Sequence, residues 1–154
     1  MISSSITINA PPAVVREIFL DFPNLSAWHQ GIILSCRPLD DSKTGMTLKQ
    51  GDKTETRLSS MTVVQDIIEN TPEVLTTNGP WMGLLTGLKS CLFTSDPSNP
   101  NITHFEQRET FTGILSFMMN NPDRFGGYRT KEAFAKINED LKIKAEQVWQ
   151  ERSV

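Results

Sequence analysis

At 154 residues, 38% apolar and 21% charged, the chain is long enough for a core and too apolar for a disordered segment. A formal net charge of −3 and a pI of about 5.4 leave no basic stripe, so nucleic acid is not an expected partner. The most apolar run, 81–93, is too short to span a bilayer and is broken by Lys89 and glycines, so no stable membrane insertion is expected.

Met1-Ile2-Ser3-Ser4-Ser5 has neither a basic region nor an apolar one and does not read as a signal peptide, which makes the expected location cytoplasmic. The sequons at Asn24 and Asn101 then read as chance matches, and Cys36 and Cys91 as free thiols. A single domain, 1–154, accounts for the length; oligomeric state has no signal in the sequence.

Residues 4–9 alternate polar and apolar through Ile6 and Ile8, a half-buried strand stopped by Ala10-Pro11-Pro12. Pro12 suits the first turn of a helix to about Asp21, whose apolar face is Val14, Val15, Ile18, Phe19 and Phe22. Pro23-Asn24 ends it, and 25–29 forms a short helical turn. Strands are predicted over 32–38, 46–50, 58–69, 73–78, 89–95 and 102–112, separated by turn-forming clusters of Asp, Ser, Asn, Gly and Pro. Short links between them predict antiparallel pairing.

The chain closes on an amphipathic helix over 123–150, capped by Asn121-Pro122-Asp123. At about 100° per residue, Thr130, Phe134, Ile137, Asn138, Leu141, Ala145 and Val148 form one stripe, too irregular for a coiled coil. Its N-terminal half carries Gly127, Thr130 and Asn138 where tight packing would favour Leu or Ile. That predicts volume filled by something other than side chains. A curved antiparallel sheet around this helix is the simplest burial for the stripe.

The opening Ile6-Thr7-Ile8-Asn9-Ala10-Pro11-Pro12-Ala13-Val14-Val15, followed by Asp21-Phe22-Pro23-Asn24-Leu25-Ser26-Ala27-Trp28, resembles the start of the START-like (SRPBCC) superfamily. That group includes polyketide cyclase/dehydrase-like and Bet v 1-like proteins. The stretch 103–115 resembles its last strand, and Phe134, Asn138, Leu141, Lys142, Ala145 and Glu146 its closing helix. The resemblance covers nearly the whole chain. It implies an α+β helix-grip fold of about seven strands, with two short helices after the first strand and a deep, mainly apolar cavity. It does not imply one function, because this fold hosts carriers, receptors and enzymes.

For residues facing such a cavity, period-two alternation sets Phe105, Gln107, Glu109 and Phe111 on one face of the last strand, and Lys89, Cys91 and Phe93 on one face of the strand before. The phenylalanines mark these faces as inward, so Lys89 and Glu109 are candidates for an ion pair, a ligand anchor or an acid/base unit. Candidate ligand-lining residues are Trp28, His29, Trp81, Phe93, Gln107, Phe111, Met118, Thr130, Phe134 and Asn138, with Trp81-Met82 placed on a loop at the cavity mouth. Alternation leaves the direction of Arg57 and Asp66 open.

The His and Cys residues lack metal-ligand spacing, so no metal is expected. The glycines at 79, 83 and 87 lack the P-loop Lys-Ser/Thr; they predict a mobile loop, and no cofactor is expected. The expected function is binding of a hydrophobic small molecule, as a cofactor-independent cyclase, isomerase or dehydratase of biosynthesis. The alternative is a non-catalytic carrier of a lipid or other apolar metabolite.

Overall fold

Proline sets the first boundary. Strand β1 (Ile2–Ile8) buries Ile2 and Ile8, and Pro12 begins helix α1 (Pro12–Leu20), which buries Val14, Val15, Ile18 and Leu20. A 3-10 turn over Phe22–Asn24 leads to the single-turn helix α2 (Leu25–Trp28). This computed structural model describes residues 1–81 and 83–154. Strands β2 (Ile33–Pro38), β3 (Lys53–Leu58), β4 (Thr62–Asn70), β5 (Val74–Trp81), β6 (Leu85–Asp96) and β7 (Asn99–Thr112) follow. A short helix α3 (Ser116–Met119) then precedes the 28-residue α4 (Phe125–Arg152).

All seven strands join one antiparallel sheet in the order β1-β7-β6-β5-β4-β3-β2. The last six meander, and β1 closes on β7 with Ile6 opposite Phe105. The curled sheet grips α4, the helix-grip arrangement that the resemblance implies. The C-terminal half of α4 fills the core: Leu141 and Ala145 are fully buried with Ile8, Val15 and Phe105, and Val148 packs against them. Full burial of a side chain such as Leu141 contributes roughly 1.5–3 kcal/mol. Phe19, Phe93 and Phe105 form an aromatic trio with ring centroids 5.3–5.7 Å apart.

Several expectations are corrected. Residues 46–50 are not a strand; Gly45–Thr47 is a 3-10 turn in which the Thr44 amide donates to Thr47 Oγ1 at 2.9 Å. The single strand expected over 58–69 is two, folded back where the Leu58 amide meets the Met61 carbonyl at 2.7 Å. Most of β3 was hidden from hydrophobic periodicity because two of its inward residues are Thr54 and Thr56. Gly79 and Gly87 do not belong to a loop but are paired opposite each other in β5 and β6.

Helix α4 starts at Phe125, and no side chain caps it; Asn121 Oδ1 instead accepts from the Asp123 amide at 3.0 Å. Gly127 does not leave room for a ligand. A Cβ there would stand 1.9 Å from the Asn121 carbonyl oxygen, so glycine is what lets the turn before α4 fold against the helix.

Candidate functional site

The N-terminal half of α4 stands off the sheet and leaves a hollow of about 160 Å³. An apolar cavity on the order of 150 Å³ is large enough for a benzene ring. Thr130, Ala133, Phe134 and Ile137 wall it on the helix side. Phe19, Phe22, Leu25, Trp28 and His29 wall it from α1, α2 and the turn between them. Val63, Ile67 and Leu75 give the sheet side its apolar floor.

A polar belt crosses that floor. Cys36 on β2 faces Thr56 on β3, and Thr56 Oγ1 lies 3.3 Å from Gln65 Oε1 on β4. Gln65 Nε2 donates to Thr77 Oγ1 on β5 at 3.2 Å. Thr77 is directly opposite Lys89 on β6, and Lys89 directly opposite Glu109 on β7. All six residues line the hollow. Alternation generates the belt, since each strand sends every second residue inward.

Lys89 and Glu109 share the concave face but do not close an ion pair; among the described residues their charged atoms stay beyond 4.0 Å. The Lys89 ammonium sits over the Phe134 ring, 4.6 Å from its centroid, where the negative ring face attracts it. Glu109 is 4% exposed, and burial raises its carboxyl above the ordinary range while Lys89 partly opposes the shift. No hydrogen bond from a described residue reaches that carboxyl. A buried polar group without a partner costs free energy until something supplies one.

The two thiols in the wall are poor nucleophiles. Burial raises both, Cys91 to about 11, so neither is a thiolate at neutral pH. Among the described residues no three His, Cys, Asp or Glu side chains are grouped to hold a metal ion.

The remaining candidate residues divide sharply. Trp28, His29, Thr130 and Phe134 are in the wall of the hollow. Phe93 is in the aromatic trio behind it. Gln107 and Asn138 are joined by one hydrogen bond: Gln107 Nε2 donates to Asn138 Oδ1 at 2.7 Å, while Asn138 Nδ2 donates to Ser4 Oγ at 3.2 Å and Gln107 Oε1 is left without a partner. Two polar residues on the helix stripe and the last strand thus bind α4 to the sheet. Phe111 is buried away from the hollow and Met118 is half-buried on α3, neither among the lining residues.

Trp81 ends β5, but its side chain, like Met82, lies outside the described residues. Arg57 and Asp66, left open by the sequence, belong to the outward face, where Asp66 pairs with Lys53. Thr54, Thr56, Gln65 and Thr77 also line the hollow; alternation anchored on Val63 and Ile67 points to Gln65, but nothing local in the sequence marks the threonines.

The family model for polyketide cyclase/dehydrase and lipid transport proteins matches residues 1–149. The chain belongs to that family, within the START-like fold. No curated protein matches the sequence. A hypothetical protein from Helicobacter pylori superposes with a TM-score of 0.72 at 10% identity, covering 93% of this chain and 86% of that one. A START superfamily protein from Mycobacterium smegmatis gives 0.61 at 14% identity, with 97% of both chains covered. The di-domain aromatase/cyclase StfQ of the steffimycin biosynthetic pathway gives 0.69 at 11% identity. The match covers 99% of this chain and 47% of StfQ, so the chain spans about half that protein's length. At these identities the likeness is one of fold. Among the described residues no helix is long and apolar enough to cross a membrane.

Proposed function

We propose that the chain binds a hydrophobic small molecule carrying an oxygen function in the hollow, and acts on it as a cofactor-independent cyclase, isomerase or dehydratase. The observation that carries this reading is Glu109: a buried carboxyl with no hydrogen-bond partner among the described residues, in the wall of an apolar hollow, opposite a lysine. A carboxyl whose proton is held more tightly by burial is suited to give or take a proton. The Lys89 ammonium, one strand away, is suited to stabilise negative charge developing on a carbonyl oxygen. The apolar walls hold the carbon skeleton and exclude water. Fold alone supplies none of this chemistry; the family's description and StfQ's role only make a cyclic or cyclising ligand a sensible first choice.

Carriage without chemistry is the second reading, favoured by the apolar floor of Val63, Ile67 and Leu75 and by the family's inclusion of lipid transport. Both readings place the protein in the cytoplasm, where free thiols such as Cys36 and Cys91 persist.

Native mass spectrometry of protein from its own cells identifies the bound molecule, and Glu109→Gln tests its handling. The amide keeps the shape of the acid, so folding should survive. Turnover of the identified molecule should fall tenfold or more, about 1.4 kcal/mol. Unchanged recovery of that molecule from both proteins would favour the carrier. A protein that never retains a small molecule would defeat both.

A further inference from the structure

The end of the hollow beside α2 holds two polar atoms that Lys89 and Glu109 do not serve. His29 is 2% exposed, and its Nδ1 lies 2.9 Å from Asp140 Oδ2 on α4. A carboxylate only accepts, so the proton of the neutral ring belongs on Nδ1 and Nε2 is left as a bare acceptor. Asp140 is itself held in place, its other oxygen accepting from Lys136 Nζ at 2.6 Å. His29 Nε2 is buried and has no hydrogen-bond partner. The neighbouring Trp28 Nε1, a donor only, is also buried and unpartnered.

Both side chains line the hollow, with ring centroids 6.0 Å apart. Gly31 lies against the imidazole: a Cβ there would stand 2.7 Å from Cε1 and 2.9 Å from Nε2, so a side chain at this position would push the ring out of place.

An unsatisfied donor and an unsatisfied acceptor on neighbouring residues of one wall can both be met by a single group that accepts and donates. A hydroxyl fits, accepting from the indole N–H while donating to the imidazole. An ether or ketone accepts only and leaves His29 unpaired; a hydrocarbon leaves both unpaired. The volume of about 160 Å³ and the aromatic walls set the rest of the ligand near the size of one ring.

We propose that Trp28 and His29 form a hydroxyl-recognition subsite for a phenol-class ring, with Asp140 as the positioning residue that fixes the His29 tautomer. This deepens the small-molecule reading above and rests on it. The subsite stands on different residues from Glu109, so the two parts fail separately.

The test uses the full chain, with phenol, anisole and benzene as probes. Phenol should bind about tenfold more tightly than either of the others, equivalent to about 1.4 kcal/mol. Nitrogen-15 spectra of the free protein near pH 8 should show the His29 proton on Nδ1 and a bare Nε2. In His29→Phe the phenol preference over benzene should fall to about threefold or less with benzene binding retained. Asp140→Asn should shift the tautomer and reduce the same preference.

Equal binding of all three probes in the hollow would overturn the subsite and leave the small-molecule reading standing. Absence of binding by any of them would overturn both. A proton on Nε2 in the wild-type free protein would overturn the subsite whatever the probes do. Should His29→Phe fail to fold, the wild-type preference and the tautomer still decide.

Discussion

Lys89 and Glu109 stand opposite each other on adjacent strands, yet the ammonium rests on the Phe134 ring and leaves the carboxyl alone. The pair was expected within ion-pair reach; the aromatic face of α4 takes the cation. Glu109 therefore faces the hollow without full charge compensation, and burial dominates its proton affinity.

A pH dependence follows. The folded protein holds the Glu109 proton more tightly than the unfolded chain does. Its contribution to stability is thus complete below the ordinary carboxylate range and declines as pH rises toward the raised folded value. Glu109→Gln cannot ionise, so its melting temperature should gain on wild type across that window. A wild-type-to-variant difference that stays flat with pH would show that Glu109 is not perturbed.

The Gln107–Asn138 contact should behave as a buried polar couple. Asn138→Leu removes the acceptor of the 2.7 Å bond, and Gln107 Oε1 is already without a partner. We expect a loss of about 1–3 kcal/mol by urea denaturation. Changing both residues to leucine should recover much of it, because neither strand nor helix then buries an orphan. If the double variant is no more stable than the single one, the contact is not what matters there.

Gly127→Ala should destabilise by about 1–3 kcal/mol, since its Cβ meets the backbone oxygens of Asn121 and Met119 rather than a flexible side chain. Helix propensity alone predicts the opposite sign, a gain of roughly 1 kcal/mol. A rise in melting temperature would therefore count directly against the close approach.

The thiols report on the hollow. With Cys91 raised to about 11 and Cys36 also raised, a thiol reagent at neutral pH should modify the native protein far more slowly than the urea-unfolded chain. Rapid modification of Cys91 in native protein would mean that the wall opens easily.

Much of the architecture was legible because it is written in periodicity. The stripe through Phe134, Ile137, Leu141 and Ala145 marked α4, and Phe105 and Phe111 marked which way Glu109 turns. The limits have a common physical origin. Strand β3 was misplaced because Thr54 and Thr56 face a hollow rather than a hydrophobic core, so the function of the face erased the pattern that reveals a strand. Phe93 looked like a lining residue because alternation gives a face, not a depth. Gly127 looked like spare volume because one-dimensional patterning does not show a turn doubling back onto it. His29 and Asp140, 111 residues apart, meet only once the helix lies across α2, and no local spacing announces that.

The strand order also dictates how the chain assembles. From β2 to β7 each strand pairs with its immediate successor, so the meander can grow by short steps. β1 has no such neighbour: it must wait for β7, and Thr103 Oγ1 bonds the Ala10 carbonyl across 93 residues of chain. Closing so long a loop is entropically slow and is repaid only when it is complete. Strand β1 is thus among the last elements to be locked, together with α4, which packs on β1 and α1. Mutations in β1, such as Ile8→Val, should then speed unfolding while barely slowing folding, the signature of contacts formed after the transition state.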